Sequence, residues 1–259
     1  MACSMEMKEL REKVIRISSN AQEGHIPSAL SILDLLWVLY DKVLKIDPLN
    51  FSFPHRDRFI LSKGHASIGL YVVLAQKGFF PAEELEKFGT YDSILGGHPD
   101  KNKIRGVEAS TGSLGHGFPM AVGMALGLKI KKSAAHVFVI IGDGEANEGA
   151  IWESALLASH HQLTNLCCIV DYNHSTDRAL QIGDMVQKFK SFDWETCLID
   201  GHNHEEILSA LHTSGNGKPF AIIANTIKGY GCAKMENNPE WHHKFPRPEE
   251  LPGLLENLR

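Results

Sequence analysis

A carboxylate flanked by two glycines follows one of the most apolar segments of the sequence. Residues 137–141 form a continuous apolar run typical of a buried strand, and Gly142-Asp143-Gly144 comes directly after it. A second run, 166–170, precedes Asn173, which stands 30 residues after Asp143. In a parallel sheet, residues that follow neighbouring strands meet beyond the carboxyl edge, where α/β proteins bind their ligands. The spacing therefore predicts that Asp143 and Asn173 lie close together.

Asp143 and Asn173 offer oxygen ligands, which are those that Mg²⁺ prefers in proteins. Mg²⁺ usually binds through one or two carboxylates and completes its octahedral shell with substrate phosphates and water. A single carboxylate paired with an amide keeps the negative charge low enough for a diphosphate to approach. A Gly-Asp-Gly turn alone is common, so the prediction of a shared magnesium site depends on its pairing with Asn173.

The elements that must position these residues alternate along the chain. Apolar runs bounded by turn residues alternate with segments of helical periodicity, which implies right-handed βαβ crossovers and a parallel sheet. We therefore predict the α/β class, with helices on both faces of the sheet, in a single domain over residues 1–259 whose segment 235–259 is an irregular surface tail. The predicted strands are 59–61, 136–141, 166–171, 196–200 and 220–226, and the predicted helices are 5–22, 28–42, 66–77, 118–132, 150–161 and 204–213.

Composition excludes several classes of function. The 259 residues carry 26 Lys and Arg against 31 Asp and Glu, a net charge of -5, without a long run of either sign. Such a chain has no basic surface for a polyanion, so nucleic acid is not an expected partner. The apolar runs are much shorter than the ~20 residues that span a bilayer, and the N-terminus has no apolar signal-peptide core. We expect a cytoplasmic protein without a membrane partner.

Several segments besides the strand ends match one family's motifs, in the order in which that family has them. The matching segments are Gly24-His25, residues 61–66, 97–100 and 111–117, Glu148-Gly149, and residues 200–202, 226–231 and 237–242. Together with Gly142-Asp143-Gly144 and Asn173, they resemble the thiamine diphosphate signature and other motifs of the transketolase-like enzymes. So many ordered matches over nearly the whole chain are far more specific than any one of them. The chain is similar to the diphosphate-binding half of a transketolase.

The resemblance implies a ligand for each of the matched strand ends. Asp143, the Asn173 side chain and the Ser175 backbone carbonyl would bind Mg²⁺, with Ca²⁺ and Mn²⁺ as alternative ions. Gly144 and Glu145 would line the diphosphate of thiamine diphosphate. Its charge would be offset by the metal and by backbone N–H groups at the start of the following helix.

Four histidines stand at motif positions. A lone histidine beside glycine in a turn is usually structural, but four at matching positions favour a functional role. The resemblance implies that His25 and His98 face the reactive carbon and move protons, for which imidazole is suited near neutral pH. It also implies that His65 and His242 contact the diphosphate side of the cofactor, and that His242 belongs to the catalytic set. The residues expected to lie against the cofactor are Gly112, Ser113 and Leu114.

The sequence departs from the family's pattern at two of these histidines. After His25 the family usually has proline and a small residue, whereas this chain has Ile26-Pro27, which could alter access beside the reacting carbon. His243 follows His242 where the family more often has glycine. Either of the two histidines could therefore face the cofactor.

Two further pairs of polar residues have structural interpretations beside the functional ones. Glu148 and Glu153 lie near the subunit contact in the family, although Glu153 equally suits the N-terminus of a helix. His202 and His204 could form a metal pair. The match of residues 200–202 to a strand-end turn favours a structural role for them.

The family pairs this module with a pyrimidine-binding module that supplies the glutamate activating the cofactor. The residues after Thr226 leave no room for a second parallel sheet. We therefore expect the N-terminal subunit of a split transketolase, inactive without a C-terminal partner subunit, in an assembly with two copies of each. The complex would transfer a two-carbon ketol (glycolaldehyde) unit from a ketose, or ketose phosphate, to an aldose or aldose phosphate.

Two alternative functions remain open at the level of the sequence. The chain could be the α-type subunit of another thiamine diphosphate enzyme, a 2-oxo acid dehydrogenase or a deoxyxylulose phosphate synthase, although segments 97–100 and 111–117 favour transketolase. It could instead be a non-catalytic cofactor-binding or regulatory half, against which the retained motif histidines argue. The sugars are not fixed, because the residues that bind the substrate phosphate in the family lie mainly in the other half.

Overall fold

Five parallel strands of the described residues form one sheet. They are β1 (Arg58–Leu61), β2 (Val137–Gly142), β3 (Leu166–Tyr172), β4 (Glu195–Asp200) and β5 (Phe220–Asn225), in the spatial order β1-β2-β3-β5-β4. The structure is a computed structural model that describes residues 2–177, 179–213, 217–256 and 258–259, with side chains from residue 5 onward. β2 and β3 are apolar along almost their whole length because both faces of a parallel sheet are buried.

Helices cover both faces of this sheet. They are α1 (Ala2–Ala21), α2 (Ile26–Val38), α3 (Ser67–Gln76), α4 (Gly117–Ile130), α5 (Gly149–His160), α6 (Met185–Ser191), α7 (His204–Thr213) and α8 (Leu251–Leu255). One apolar cluster holds residues of α1, α2, α3, α7 and α8, and a second holds residues of α4, α5 and α6. Along β2, Phe138 and Ile140 belong to the first cluster and Val139 to the second. The α/β prediction is confirmed, and no helix in the described ranges has the length and apolar character to cross a membrane.

Element boundaries differ from the sequence prediction in a few places. β5 ends at Asn225 rather than Thr226, and the predicted helix 28–42 is divided into α2 and a π-helical turn, Leu39–Val43. Periodicity does not predict α6, because its 7 residues form only about two turns. The local signal for α6 is its cap, since the Asp184 carboxylate accepts a hydrogen bond from the Gln187 N–H at 3.0 Å.

The segment 235–259 is more ordered than the irregular surface tail that the sequence predicts. It contains a 3₁₀ turn, Pro239–Trp241, and helix α8. Met235 is fully buried and Leu254 is 2% exposed, and both belong to the first apolar cluster. Prolines keep the helices of this segment short, but the apolar residues between them fix it onto the rest of the fold.

Candidate active site

A cavity of about 300 Å³ lies at the carboxyl edge of the sheet, where β1, β2, β3 and β5 end. Its wall also includes Ser28, Lys63 and Lys228, to which sequence reasoning gave no role. His98 and Ser113 were expected at the cofactor but are not part of the wall. The residues expected from the sequence that line the cavity are His25, His65, Gly112, Leu114, Asp143, Gly144, Glu145, Asn173, Ser175 and His242.

Asp143 follows β2 and is only 2% exposed. Its Oδ1 accepts hydrogen bonds from the Gly144 N–H at 2.7 Å and from the Ser175 hydroxyl at 3.3 Å. Its Oδ2 is buried and has no hydrogen-bond partner among the described residues. Burial, and after it the nearby Asp171 carboxylate, raises the pKa of Asp143. A buried carboxylate oxygen without a donor is an atom that a bound cation would satisfy.

Asn173 follows β3, and its amide orientation is fixed by two partners. Nδ2 donates to Asp171 Oδ2 at 2.8 Å, and Oδ1 accepts from the Ser175 N–H at 3.1 Å. His174, between Asn173 and Ser175, has a φ of 60°. This backbone conformation is uncommon outside glycine and turns the chain sharply. One carboxylate from Asp143, one amide oxygen and a backbone carbonyl from this turn match the hard oxygen ligands that Mg²⁺ takes. The residues present therefore fit the metal.

A buried ion pair lies behind the candidate metal site. Lys63 is 1% exposed and donates to Asp171 Oδ2. Asp171 also accepts from the hydroxyls of Ser31, at 2.8 Å, and Thr226. Burial acts to raise the pKa of Asp171, but Lys63 and the hydroxyl donors lower it further, so the carboxylate stays ionised. Because Asp171 also accepts from Asn173, the ion pair fixes the amide that faces the cavity.

Three imidazoles surround His25. Its Nδ1 lies 3.1 Å from the backbone carbonyl oxygen of His242. A carbonyl only accepts, so Nδ1 carries the proton and Nε2 of neutral His25 keeps its lone pair. The ring centroids of His65, His242 and His243 lie 5.2, 5.8 and 4.6 Å from that of His25. Burial lowers the pKa of His25 to about 4, so the ring is neutral at pH 7.

The charged groups of the wall favour an anion. Lys228 follows β5, and its Nζ lies 3.2 Å from Nδ1 of His242. Burial, and after it the nearby Lys63, lowers the pKa of Lys228 to about 8. Lys228, and after it burial, lowers the pKa of His242, which keeps this ring neutral. The Ser28 hydroxyl is buried in the same wall and has no partner among the described residues. An ammonium and an unpaired hydroxyl in the same cavity as a candidate metal site fit a diphosphate.

His98 lies against Gly112 rather than in the wall of the cavity. Gly112 has a φ of 149°, and a Cβ added to it would lie 2.7 Å from Cδ2 of His98. Both the backbone conformation and the contact therefore require glycine at this position. In the same loop Leu114 lines the cavity, while Ser113 is exposed.

Glu145 lines the cavity, but its carboxylate is occupied by donors of the chain. It is 1% exposed. It accepts from the Ser62 hydroxyl at 2.5 Å and from the N–H groups of Gly115 and Gly142 at 2.9 and 3.2 Å. This carboxylate joins three turns of the site, a structural role that the sequence motif did not indicate.

The remaining polar pairs are not part of this wall, although His202 lines an adjoining cavity of about 590 Å³ that shares Asn173, Ser175, Lys228 and His242 with it. His202 Nδ1 and His204 Nε2 contact the two carboxylate oxygens of Asp34 at 3.0 and 2.9 Å. The described part of the chain holds no group of three His, Cys, Asp or Glu residues that could bind a metal. The hydrogen bonds of His202 and His204 to Asp34 are the structural role that the sequence favours for them. Glu148 and Glu153 are exposed at the beginning of α5.

The fold and site define an α/β protein with a candidate site for an anionic cofactor beyond the carboxyl ends of its strands. Residues 4–250 match the family described as "Transketolase, thiamine diphosphate binding domain", and the chain belongs to this family. The match confirms the resemblance predicted from the motifs, and thiamine diphosphate is the cofactor of the family's domain.

The relatives include single subunits and complete enzymes. The chain is 39% identical to an apulose-4-phosphate transketolase subunit of Actinobacillus succinogenes, covering 97% of this chain and 94% of the relative. It is 40% identical to a 6-deoxy-6-sulfo-D-fructose transketolase subunit of a Clostridium species, covering 85% of this chain and 82% of the relative. A solved transketolase from Campylobacter jejuni superposes with a TM-score of 0.91 at 31% identity, covering 99% of this chain but 42% of that enzyme.

Proposed function

We propose that this chain is the diphosphate-binding subunit of a two-subunit transketolase. With a C-terminal partner subunit it transfers a two-carbon ketol unit from a ketose, or ketose phosphate, to an aldose or aldose phosphate. Two relatives of similar length have names that describe transketolase subunits. The chain spans 42% of the length of the solved Campylobacter jejuni enzyme, and the proposal assigns the pyrimidine-binding module to a partner subunit. Two copies of each subunit in the cytoplasm complete the proposal.

The observation that carries this proposal is the unsatisfied Oδ2 of Asp143 in a cavity that also contains Lys228. Asp143, Asn173 and the Ser175 carbonyl would hold Mg²⁺, and the Lys228 ammonium and the Ser28 hydroxyl, which line the same cavity, would contact the diphosphate. His65, His242, Gly112, Leu114 and Gly144 complete the proposed cofactor site. Ser113 stays a proposed contact from outside the cavity wall, and Glu145 supports the site by accepting from Gly115 and Gly142. Thiamine diphosphate, when bound, would supply the electron sink that lets the carbonyl carbon of the ketose keep the electron pair of the cleaved carbon–carbon bond.

His25 is proposed to move protons at the reacting carbons. Its Nδ1–H is held by the His242 carbonyl, so Nε2 is the atom free to accept a proton from a sugar hydroxyl. Because the pKa of His25 is about 4, a proton taken by Nε2 is readily returned. His98 and His242 are the other proposed catalytic residues, and His98 acts from its position against Gly112.

Calorimetric titration tests the cofactor site. Thiamine diphosphate with Mg²⁺ is titrated into the chain alone, into the chain mixed with a candidate C-terminal subunit, and into the mixture containing Asp143→Asn. We expect tight binding only in the wild-type mixture. Tight binding by the chain alone would overturn the split site, and no binding in any sample would overturn the assignment of the cofactor site.

A donor panel tests the reaction. Ketose phosphates, sulfonated ketoses and branched ketose phosphates are supplied to the complex with a set of aldose phosphates, and ketol transfer is read by mass spectrometry of the products. We expect transfer from at least one donor that stops when thiamine diphosphate or either subunit is omitted. Reduction of an acceptor dye with a 2-oxo acid, without ketol transfer, would support the dehydrogenase alternative instead.

A further inference from the structure

Hydrogen bonds to other parts of the chain hold the backbone that follows β5 where it passes the cavity. The Gly229 N–H donates to the backbone carbonyl of Pro27 at 2.9 Å. The Ile227 N–H donates to a side chain, Nε2 of His202, at 2.9 Å. Lys228, which lines the cavity, lies between these two anchored residues. The Lys228 carbonyl also accepts from the Asn237 N–H at 2.8 Å, so the His202 ring is one of three anchors of the backbone that carries this ammonium.

The bond from Ile227 determines the tautomer of His202. A backbone N–H can only donate, so Nε2 must carry a lone pair. In the neutral ring the proton is then on Nδ1, which lies 3.0 Å from Oδ2 of Asp34. Asp34 holds the proton on the side of the ring that leaves Nε2 free to accept from Ile227.

Both members of this chain of hydrogen bonds are buried. The side chains of His202 and Asp34 are 4% and 3% exposed. The His202 ring stacks on Tyr230, with centroids 3.5 Å apart and an interplanar angle of 13°. Stacking and burial leave the ring little freedom to rotate away from Ile227.

The Asp34 carboxylate is held in its ionised form by groups from two helices and from the turn after β4. Arg11 of α1 donates from one nitrogen to both carboxylate oxygens of Asp34, which is on α2, at 3.0 and 2.8 Å. His204 of α7 contacts Oδ1. Burial acts to raise the pKa of Asp34, but the hydrogen bonds of His202 and His204 and the charge of Arg11 hold it well below its usual value. The carboxylate is thus a constant acceptor for Nδ1–H near neutral pH.

We propose that Asp34 and His202 are a positioning pair that holds Ile227, and through it Lys228, at the wall of the cofactor cavity. Asp34 selects the Nδ1–H tautomer of His202, and Nε2 accepts the Ile227 N–H. The role of Lys228 toward the diphosphate rests on the proposed function, whereas the placement of Ile227 does not. Asp34 lines neither this cavity nor the adjoining one, and His202 lines only the adjoining one. The contact through which the pair acts on Lys228 is the hydrogen bond from Ile227.

Two substitutions of His202 separate the two hydrogen bonds. In His202→Gln the side-chain oxygen reaches the place of Nε2 and can accept from Ile227. In His202→Asn the amide reaches the place of Nδ1 and can donate to Asp34, but nothing accepts from Ile227. Each variant is compared with the wild-type full chain by amide hydrogen exchange at Ile227 and, with the partner subunit, by calorimetric affinity for thiamine diphosphate with Mg²⁺.

We expect faster exchange at Ile227 and affinity at least about tenfold weaker in His202→Asn, as for outer partners of ligating groups. We expect the affinity of His202→Gln to stay within about threefold of the wild-type value, because its side-chain oxygen still accepts from Ile227. His204→Asn is the matched control, because it removes another contact of Asp34 and leaves Ile227 exchange unchanged. Equal losses in the Gln and Asn variants would indicate only packing and overturn the proposal. Unchanged Ile227 exchange in His202→Asn would also overturn it, and this exchange result is independent of whether the cofactor binds.

Discussion

The Nδ1–H of His25 donates to the backbone carbonyl of His242 over 3.1 Å, joining residues 217 positions apart in the sequence. His25 stands at the N-cap of α2, and His242 follows the 3₁₀ turn Pro239–Trp241. The bond fixes the proton on Nδ1 and leaves Nε2 of His25 with its lone pair. Residues near the two ends of the chain thus determine together which nitrogen of His25 is available for proton transfer.

Stability should fall between pH 6.5 and pH 4 through His25. Burial lowers the pKa of this ring from 6.5 to about 4 in the folded chain. Between these values the unfolded chain binds the proton and the folded chain does not, so the stabilisation present above pH 6.5 is lost as the pH falls. Because the ring is half-buried, we expect a loss of about 1–2 kcal/mol.

The measurement is the free energy of unfolding in urea at pH 7 and pH 4.5 for wild type and His25→Asn, which has no titrating ring. The loss on acidification should be smaller in His25→Asn by that amount. His212→Asn, at an exposed position of α7, is the control and should resemble wild type. An equal loss in wild type and His25→Asn would contradict the prediction.

Asp143→Asn should separate stability from binding. In the chain without cofactor, the carboxylate is buried with one unpartnered oxygen, and burial raises its pKa. Removing its charge is therefore expected to leave the free energy of unfolding unchanged or to raise it by about 1 kcal/mol. Removing a metal ligand should weaken Mg²⁺-dependent thiamine diphosphate binding by about 100-fold or more.

Urea unfolding and calorimetry with the partner subunit measure the two effects of Asp143→Asn. Asp92→Asn, at an exposed loop position, is the control for general effects of removing a carboxylate. Strong destabilisation of Asp143→Asn would contradict the prediction, because it would show that the carboxylate stabilises the fold through its hydrogen bonds and is not a residue kept for metal binding.

The sequence predicts the sheet and the strand-end residues because their signals are local. Continuous apolar runs identify β2 and β3, and the motif at Asp143 depends only on residues beside it in the chain. It does not predict that the Glu145 carboxylate binds the N–H groups of Gly115 and Gly142, because that contact depends on how two turns approach in space. The same applies to His202, whose acceptor role for Ile227 exists only once β4 and β5 are paired.

His242 and His243 should differ in what their loss changes. His242 lines the cavity and contacts Lys228 at 3.2 Å, whereas the ring of His243 packs 4.6 Å from that of His25 without lining the cavity. We expect His242→Gly to weaken thiamine diphosphate binding about tenfold. His243→Gly should leave cofactor affinity within about twofold and change the KM of the sugars instead.

Each of these two variants is the control for the other, and calorimetry beside steady-state kinetics of the complex provides both readouts. This experiment decides the alternative that the sequence leaves open. If His243→Gly bound the cofactor more weakly than wild type and His242→Gly bound it as tightly as wild type, the roles of the two histidines would be exchanged.

Glu145→Gln should destabilise the chain although it preserves the shape of the side chain. The carboxylate accepts from the Ser62 hydroxyl and from the N–H groups of Gly115 and Gly142, all of them buried donors. An amide has one oxygen, so its NH₂ group would face at least one of these N–H donors, and a buried donor would lose its acceptor. We expect a loss of about 2–4 kcal/mol in the free energy of unfolding, measured in urea.

Glu153→Gln, at an exposed position of α5, should change this free energy by less than about 0.5 kcal/mol. A Glu145→Gln variant as stable as wild type, yet unable to bind thiamine diphosphate, would instead assign the carboxylate to the cofactor.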